Sequence, residues 1–282
     1  MAVRVVETDA HEGPVYVAAE DALYFTTTRD PATQRVDIVR LALDGDRFPV
    51  ESERLSVVRR DANVANGMAL DGDGRLLVCE QGTHSRRAAI TRIDPRNGHA
   101  ETVVDHWRGL PLNSPNDVVV ARDGSVWFTD PAYGDLQGFR PAPALPDAVY
   151  RHDPRSGELA MVASAFDKPN GLAFSPREDV LYVGDSEARH VKAFDVIDGR
   201  GLAGERIFAE IAPGYPDGIK VDAAGRVHVS FAGGIQILDP SGRRCGEIAL
   251  PGAVNFAFGG RRGDVLFITA DDAVWAAVPG CD

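Results

Sequence analysis

Apolar positions along this chain come in short runs, each opened by a polar residue and closed by a turn, and the runs recur in pairs. In each pair the second run is rich in aromatic and β-branched residues. Six copies are legible: EGPVYVAAEDALYFTT from Glu12, NGMALDGDGRLLVCE from Asn66, NDVVVARDGSVWFTD from Asn116, NGLAFSPREDVLYVGD from Asn170, DGIKVDAAGRVHVS from Asp217 and NFAFGGRRGDVLFIT from Asn255. Their starts lie 38 to 54 residues apart, a period that fits four-stranded propeller blades. Between the copies, AAITRIDPRNGHAETVV, VYRHDPRSGELAMVA and VKAFDVIDGRGLAGERIFAE supply third and fourth strands with their turns. No stretch reads as an amphipathic helix. The last copy leaves room for three strands, and VRVVE, Val3 to Glu7, alternates as a strand ahead of the first unit. This N-terminal strand is predicted to complete the sixth blade, closing the ring and removing an exposed sheet edge. The expected fold is all-β: one six-bladed β-propeller domain of four-stranded blades spanning residues 1–282.

In such a ring the first strand of every blade lines the central channel. Glu12, Asn66, Asn116, Asn170, Asp217 and Asn255 open the six units in phase, so they converge on one end of the axis. A single Asn-Gly or Asp-Gly is an ordinary turn former; six in phase are not explained that way. Buried together, these oxygens would repel or stay unsatisfied, and a hard cation resolves both problems. Oxygen-only ligation suits calcium, or magnesium and manganese in a tighter site, whereas zinc favours His or Cys.

Composition narrows the partners. The 282 residues are 44% hydrophobic, enough for a large core, and carry a net charge of −12. That charge opposes nucleic acid and anionic membranes as partners. No apolar stretch approaches the roughly twenty residues that span a bilayer. Cys79, Cys245 and Cys281 lack metal-ligand spacing, and MAVRVVETDAHEGP lacks a signal-peptide apolar core. These features lead to the expectation of a reduced, cytoplasmic protein. GDGRL and DAAGR are turns and not EF-hand loops, and neither a G-x-S-x-G elbow nor a P-loop occurs.

LNSPNDVVVARDGSVWFTDPAYG, KPNGLAFSPREDVLYVGDSE and YPDGIKVDAAGRVHVS resemble the senescence marker protein, gluconolactonase and luciferin-regenerating enzyme family, most closely its bacterial gluconolactonase-like members. The resemblance implies one divalent cation in the channel, usually calcium, with magnesium, manganese or zinc as alternatives. By motif it places the ligands at Glu12, Asn116 (through water), Asn170 and Asp217; Asn66 and Asn255, in the remaining blades, then either support those ligands from behind or face the substrate. The implied reaction is hydrolysis of a lactone or similar ester, with carbonyl polarisation by the cation. Asp217 is then the candidate general base, and a metal-bound hydroxide the competing assignment. The chain departs from the family where Tyr16 stands for a common Trp and Thr27 for an Asp, and Glu80 to Arg92 is longer than in close relatives.

Further pocket candidates are Glu80, His84, Asp130, Tyr133, Asp185, Tyr215 and Phe231, which follow inner strands or precede a proposed ligand. For Glu80, Asp130 and Asp185 a strand-end role competes with substrate contact. His84 competes as a solvated loop histidine, and the remaining histidines are expected at the surface, with His11 touching the site only by adjacency. The segments Glu80 to Arg92 and Tyr133 to Asp147 are expected to set specificity. Against lactone hydrolysis stand a binding scaffold with a structural ion, a phosphotriesterase-like hydrolase, and a strictosidine-synthase-like propeller without the cation.

Overall fold

The computed structural model describes residues 1–280. Six antiparallel four-stranded sheets form the blades: blade 1 over 12–59, blade 2 over 65–104, blade 3 over 118–163, blade 4 over 169–210, blade 5 over 219–249, and blade 6 over 255–277. In blades 1 to 5 the strands run in chain order from the axis outward. Blade 6 takes its fourth strand from Val3–Ala10, which pairs antiparallel with Asp271–Ala277 through Val3 with Ala276 and Arg4 with Trp275. The predicted closure of the ring is therefore present, and the N-terminal strand is three residues longer than its sequence pattern indicated. One four-residue helix, Tyr133–Leu136, and two 3-10 turns are the helical elements among the described residues.

Apolar faces of adjacent blades meet to form the core. Trp127 of blade 3 is fully buried with Leu172, Leu181 and Val183 of blade 4 and meets Phe174 edge-on at 5.4 Å between ring centroids. Each such side chain contributes about 1.5–3 kcal/mol on burial, so the ring is held by a succession of interblade contacts.

Close packing at the axis explains the Asn-Gly and Asp-Gly pairs. Gly67 N donates to Asn116 O at 2.8 Å and Gly171 N to Asp217 O at 3.1 Å. A Cβ on Gly67 would lie 2.5 Å from Asn116 O, and one on Gly171 would lie 2.3 Å from Asp217 O. The glycine after each polar residue thus serves close backbone approach between blades, not a turn. Hydroxyls from the second strands complete the stitching: Thr129 Oγ1 donates to Asn170 O at 2.8 Å and Ser230 Oγ to Val254 O at 2.6 Å.

Two expectations need correction. His228 is fully buried with Nε2 3.2 Å from Asp222 Oδ2, and His152 is also buried, because their strand positions face the blade interfaces. Cys79 is a buried free thiol, but Cys245 is disulfide-bonded, so the inference from three reduced cysteines does not stand; Cys281 lies outside the described residues.

Candidate active site

The inner strands begin at one mouth of the channel, and a cavity of about 290 Å³ opens there. Glu12, Asn66, Asn116, Asn170 and Asp217 all line it. Asn255 is buried behind them, and its Nδ2 donates to Glu12 Oε2 at 2.7 Å. Gly13 N donates to the same oxygen at 2.9 Å. The side-chain amide of Asn170 donates to Ser186 Oγ at 3.1 Å and Tyr133 Oη at 3.3 Å, and Asn66 Nδ2 donates to Asn116 O at 3.1 Å. Asn116 Oδ1 is buried without a hydrogen-bond partner among the described residues.

Two carboxylates share this enclosed space. Burial pushes Asp217 up to about 8, and the Glu12 charge adds to the rise; burial likewise raises Glu12. With nothing bound, the pair therefore retains a proton near neutral pH. Burial acts to lower the His11 imidazole, but its 2.7 Å contact with Asp271 and the nearby Glu12 and Asp217 charges outweigh that and raise it. Burial raises Tyr133 and Tyr215 as well, so both hydroxyls stay protonated and can donate.

The remaining candidates fall in different places. Tyr133 and Tyr215 line the cavity. Glu80, Asp130 and Asp185 do not: each is buried at the end of a second strand and holds the segment that leads into an inner strand. Asp130 accepts from Asn113 N and Ser114 N, both at 2.8 Å, Asp185 accepts from Asp167 N at 2.8 Å, and Glu80 accepts from Asn63 Nδ2 at 2.9 Å. Asn113, Asp167 and Asn63 each precede an axial residue by three positions. These carboxylates thus fix Asn116, Asn170 and Asn66 from behind and stand outside the cavity lining. Burial pushes Asp130 up to about 7 against its two N–H donors.

His84 lies outside the cavity, with Nε2 3.3 Å from Gly138 O, and Phe231 is buried among Ile219, Val229 and Tyr182. The segment carrying His84 is tied down by Arg140, whose Nη1 donates to Thr83 O and Arg86 O, both at 3.1 Å. Its neighbour Gln81 does line the cavity, as do His11, Thr27, Arg29, Gln137, Ser186 and Glu187. Gln137 falls in the Tyr133 to Asp147 segment expected to set specificity and Thr27 at the strand end noted above, whereas Arg29, Ser186 and Glu187 were not anticipated. Ser186 was findable, because it directly follows the strand-end Asp185.

The fold and this cavity define a six-bladed propeller with a polar cavity at one mouth of its axis. Residues 10–272 match the SMP-30/Gluconolactonase/LRE-like region, and the chain belongs to that family. It is 35% identical to a gluconolactonase of Zymomonas mobilis over 74% of this chain and 62% of that protein. It is 27% identical to a lactonohydrolase of Aspergillus oryzae over 93% of this chain and 66% of that protein. The chain therefore spans less than two thirds of the length of either curated relative. A gluconolactonase of Xanthomonas campestris superposes with a TM-score of 0.84 at 33% identity, covering 99% of this chain and 89% of that one.

Proposed function

We propose that this chain is a lactonase that opens a sugar lactone or related cyclic ester, with one divalent cation, calcium first, held by Glu12, Asn116, Asn170 and Asp217. The observation that carries the reading is the pairing of buried Glu12 and Asp217 beside the unpartnered Asn116 Oδ1. The donor set fits a hard cation, since carboxylate and amide oxygens suit calcium. No group of three His, Cys, Asp or Glu side chains suited to a metal occurs among the described residues, so the amide oxygens are essential to the set. The named relatives, gluconolactonases and a lactonohydrolase, support the reaction.

A bound divalent cation would supply Lewis acidity toward the lactone carbonyl and compensate the two carboxylates. The protein's own groups do the rest. Asp217 accepts a proton from the attacking water as its oxygen bonds to the carbonyl carbon; the acyl carbon–oxygen bond of the ring then breaks, and the departing oxygen takes up a proton. Asn170 is held in one orientation by Ser186 and Tyr133. Tyr133 and Tyr215 present hydroxyl donors toward the substrate, and the His11 imidazole, raised against its burial by Asp271 and the nearby carboxylates, lies on the same wall. Glu12 is fixed by Gly13 N and Asn255, which favours a binding role over proton transfer.

The test separates the two carboxylates. Asp217→Asn keeps size and one oxygen but removes the base, so lactone ring opening is expected to fall at least about 100-fold, within the range ascribed to general-base catalysis, and excess calcium is expected not to restore it. Glu12→Gln is expected to weaken metal affinity, with part of the rate recovered in excess calcium. Near wild-type turnover by calcium-loaded Asp217→Asn would remove Asp217 as the base. Absence of hydrolysis across a lactone panel by the wild-type protein would favour the scaffold reading.

A further inference from the structure

Arg29 is the only Arg or Lys among the described residues that line the axial cavity. It projects from the blade 1 loop between Ala22–Thr26 and Ile38–Ala42. Its guanidinium is held in place by neutral groups alone. Nη1 donates to Gln34 Oε1 at 2.6 Å, Nη2 donates to Gln137 Oε1 at 3.2 Å, and the Phe139 ring lies beneath it at 4.5 Å from the centroid. Arg29 forms no ion pair with a carboxylate among the described residues. Arg35, Arg40 and Arg59 of blade 1 and Arg86 and Arg92 of blade 2 all do.

Arg140, buried and likewise without an ion pair among the described residues, has its guanidinium satisfied by four backbone carbonyls, whereas Arg29 donates only to two glutamine side chains in a chain with 42 acidic residues. Desolvating a guanidinium is costly unless an anion compensates it. Two of its five N–H donors are used by the glutamines, which leaves donors of the planar fork free to take a carboxylate. The other charged residues on the cavity wall are Glu12, Asp217, Glu187 and His11. Among the side chains of the wall Arg29 is therefore the favoured place for a carboxylate, since a cation held at Glu12 and Asp217 would be compensated by those two carboxylates and would face the lactone carbonyl. The overall charge of −12 does not decide the matter, because exposed charges are screened beyond about 8 Å at physiological salt.

We infer that Arg29 recognises a free carboxylate on the substrate, so that the preferred substrate is a lactone carrying a second, unesterified carboxylate, such as an aldaric acid lactone, and not a neutral aldonolactone. This rests on the lactonase reading above. It also sets the binding direction: the carboxylate sits at Arg29 and the lactone carbonyl faces Asp217. Gln34, Gln137 and Phe139 act as positioning residues that keep the fork open toward the cavity.

The test compares a six-carbon lactone pair, glucaro-1,5-lactone and glucono-1,5-lactone, which differ in a carboxylate against a hydroxymethyl group. Wild type with calcium is expected to show kcat/KM at least about ten-fold higher for the anionic lactone, and Arg29→Gln is expected to lower that ratio at least about ten-fold, mainly through KM. Arg29→Lys is expected to recover part of the preference. Equal losses on both lactones, or a wild-type preference for the neutral one, would overturn the inference. A second measurement needs no turnover: calorimetric binding of glucuronate and glucose to folded wild-type and Arg29→Gln protein. Tighter binding of glucuronate that disappears in Arg29→Gln supports the inference, and equal affinities overturn it. Arg29-dependent glucuronate binding without lactone hydrolysis would leave carboxylate recognition by Arg29 standing and defeat the lactonase reading, and with it the lactone as substrate. Hydrolysis of both lactones without an Arg29-dependent preference would do the reverse.

Discussion

Asn255 and Glu12, 243 residues apart in the chain, are joined by a 2.7 Å hydrogen bond from Asn255 Nδ2 to Glu12 Oε2 across the seam where the ring closes. Blade 6 thereby orients the first axial carboxylate of blade 1. Asn255→Ala would leave a buried carboxylate short of a donor, at a cost of about 1–3 kcal/mol. The expected outcome is a lower Tm together with weaker calcium binding by titration calorimetry. Unchanged calcium affinity would show that Glu12 is positioned by Gly13 alone.

Gly171 and Gly72 offer a matched pair. A Cβ at Gly171 meets backbone at 2.3 Å and 2.7 Å, from Asp217 O and Ile219 N, whereas Gly72 has nothing within 4 Å. Backbone cannot move aside as a flexible side chain can, so Gly171→Ala is expected to destabilise by about 1–3 kcal/mol and to lower activity by displacing Asp217. Gly72→Ala is expected to stay within about 0.5 kcal/mol of wild type, as for most surface changes. Denaturant melts of the two variants check both.

Asp130 acts at a distance. Its two backbone hydrogen bonds, to Asn113 N and Ser114 N at 2.8 Å, set the entry of the segment carrying Asn116. Asp130→Ala removes both acceptors and is expected to destabilise by about 2–6 kcal/mol, at about 1–3 for each buried N–H left without a partner. Asp130→Asn retains one acceptor and is expected to lie between the two. A kcat/KM that falls with Tm in this order on a lactone fits a positioning role.

Asp217 predicts a pH dependence for the metal-free protein. Its folded pKa is raised from 3.8 to about 8, so between those values the native state binds more protons than the unfolded state. Stability therefore falls as pH rises through that window. In chelator, Tm is expected to decline from pH 6 to pH 8.5. With saturating calcium the decline should be smaller, because the cation favours the ionised carboxylate. Parallel curves with and without calcium would separate Asp217 from the metal.

The blades were legible because each needs two apolar strands in fixed phase, and that phase also marked Glu12, Asn66, Asn116, Asn170, Asp217 and Asn255 as one axial set. Glu80, Asp130 and Asp185 share a phase too, at the ends of second strands. Whether such a side chain faces the channel or the segment behind it depends on how neighbouring blades pack, which spacing does not reveal. Arg29 and Glu187 come from loops without a repeat, so nothing in their local sequence placed them at the mouth. The glycines after the axial residues looked like turn formers, and only the distance between adjacent inner strands shows why a side chain is excluded.

The most direct test of the account is the rate of lactone ring opening, corrected for spontaneous hydrolysis, by protein stripped of metal and then reloaded with calcium. The account predicts that kcat/KM falls at least about 100-fold on stripping, a loss of about 2.7 kcal/mol of transition-state stabilisation, and returns when calcium is added. An unchanged rate in protein verified to contain no metal would contradict it.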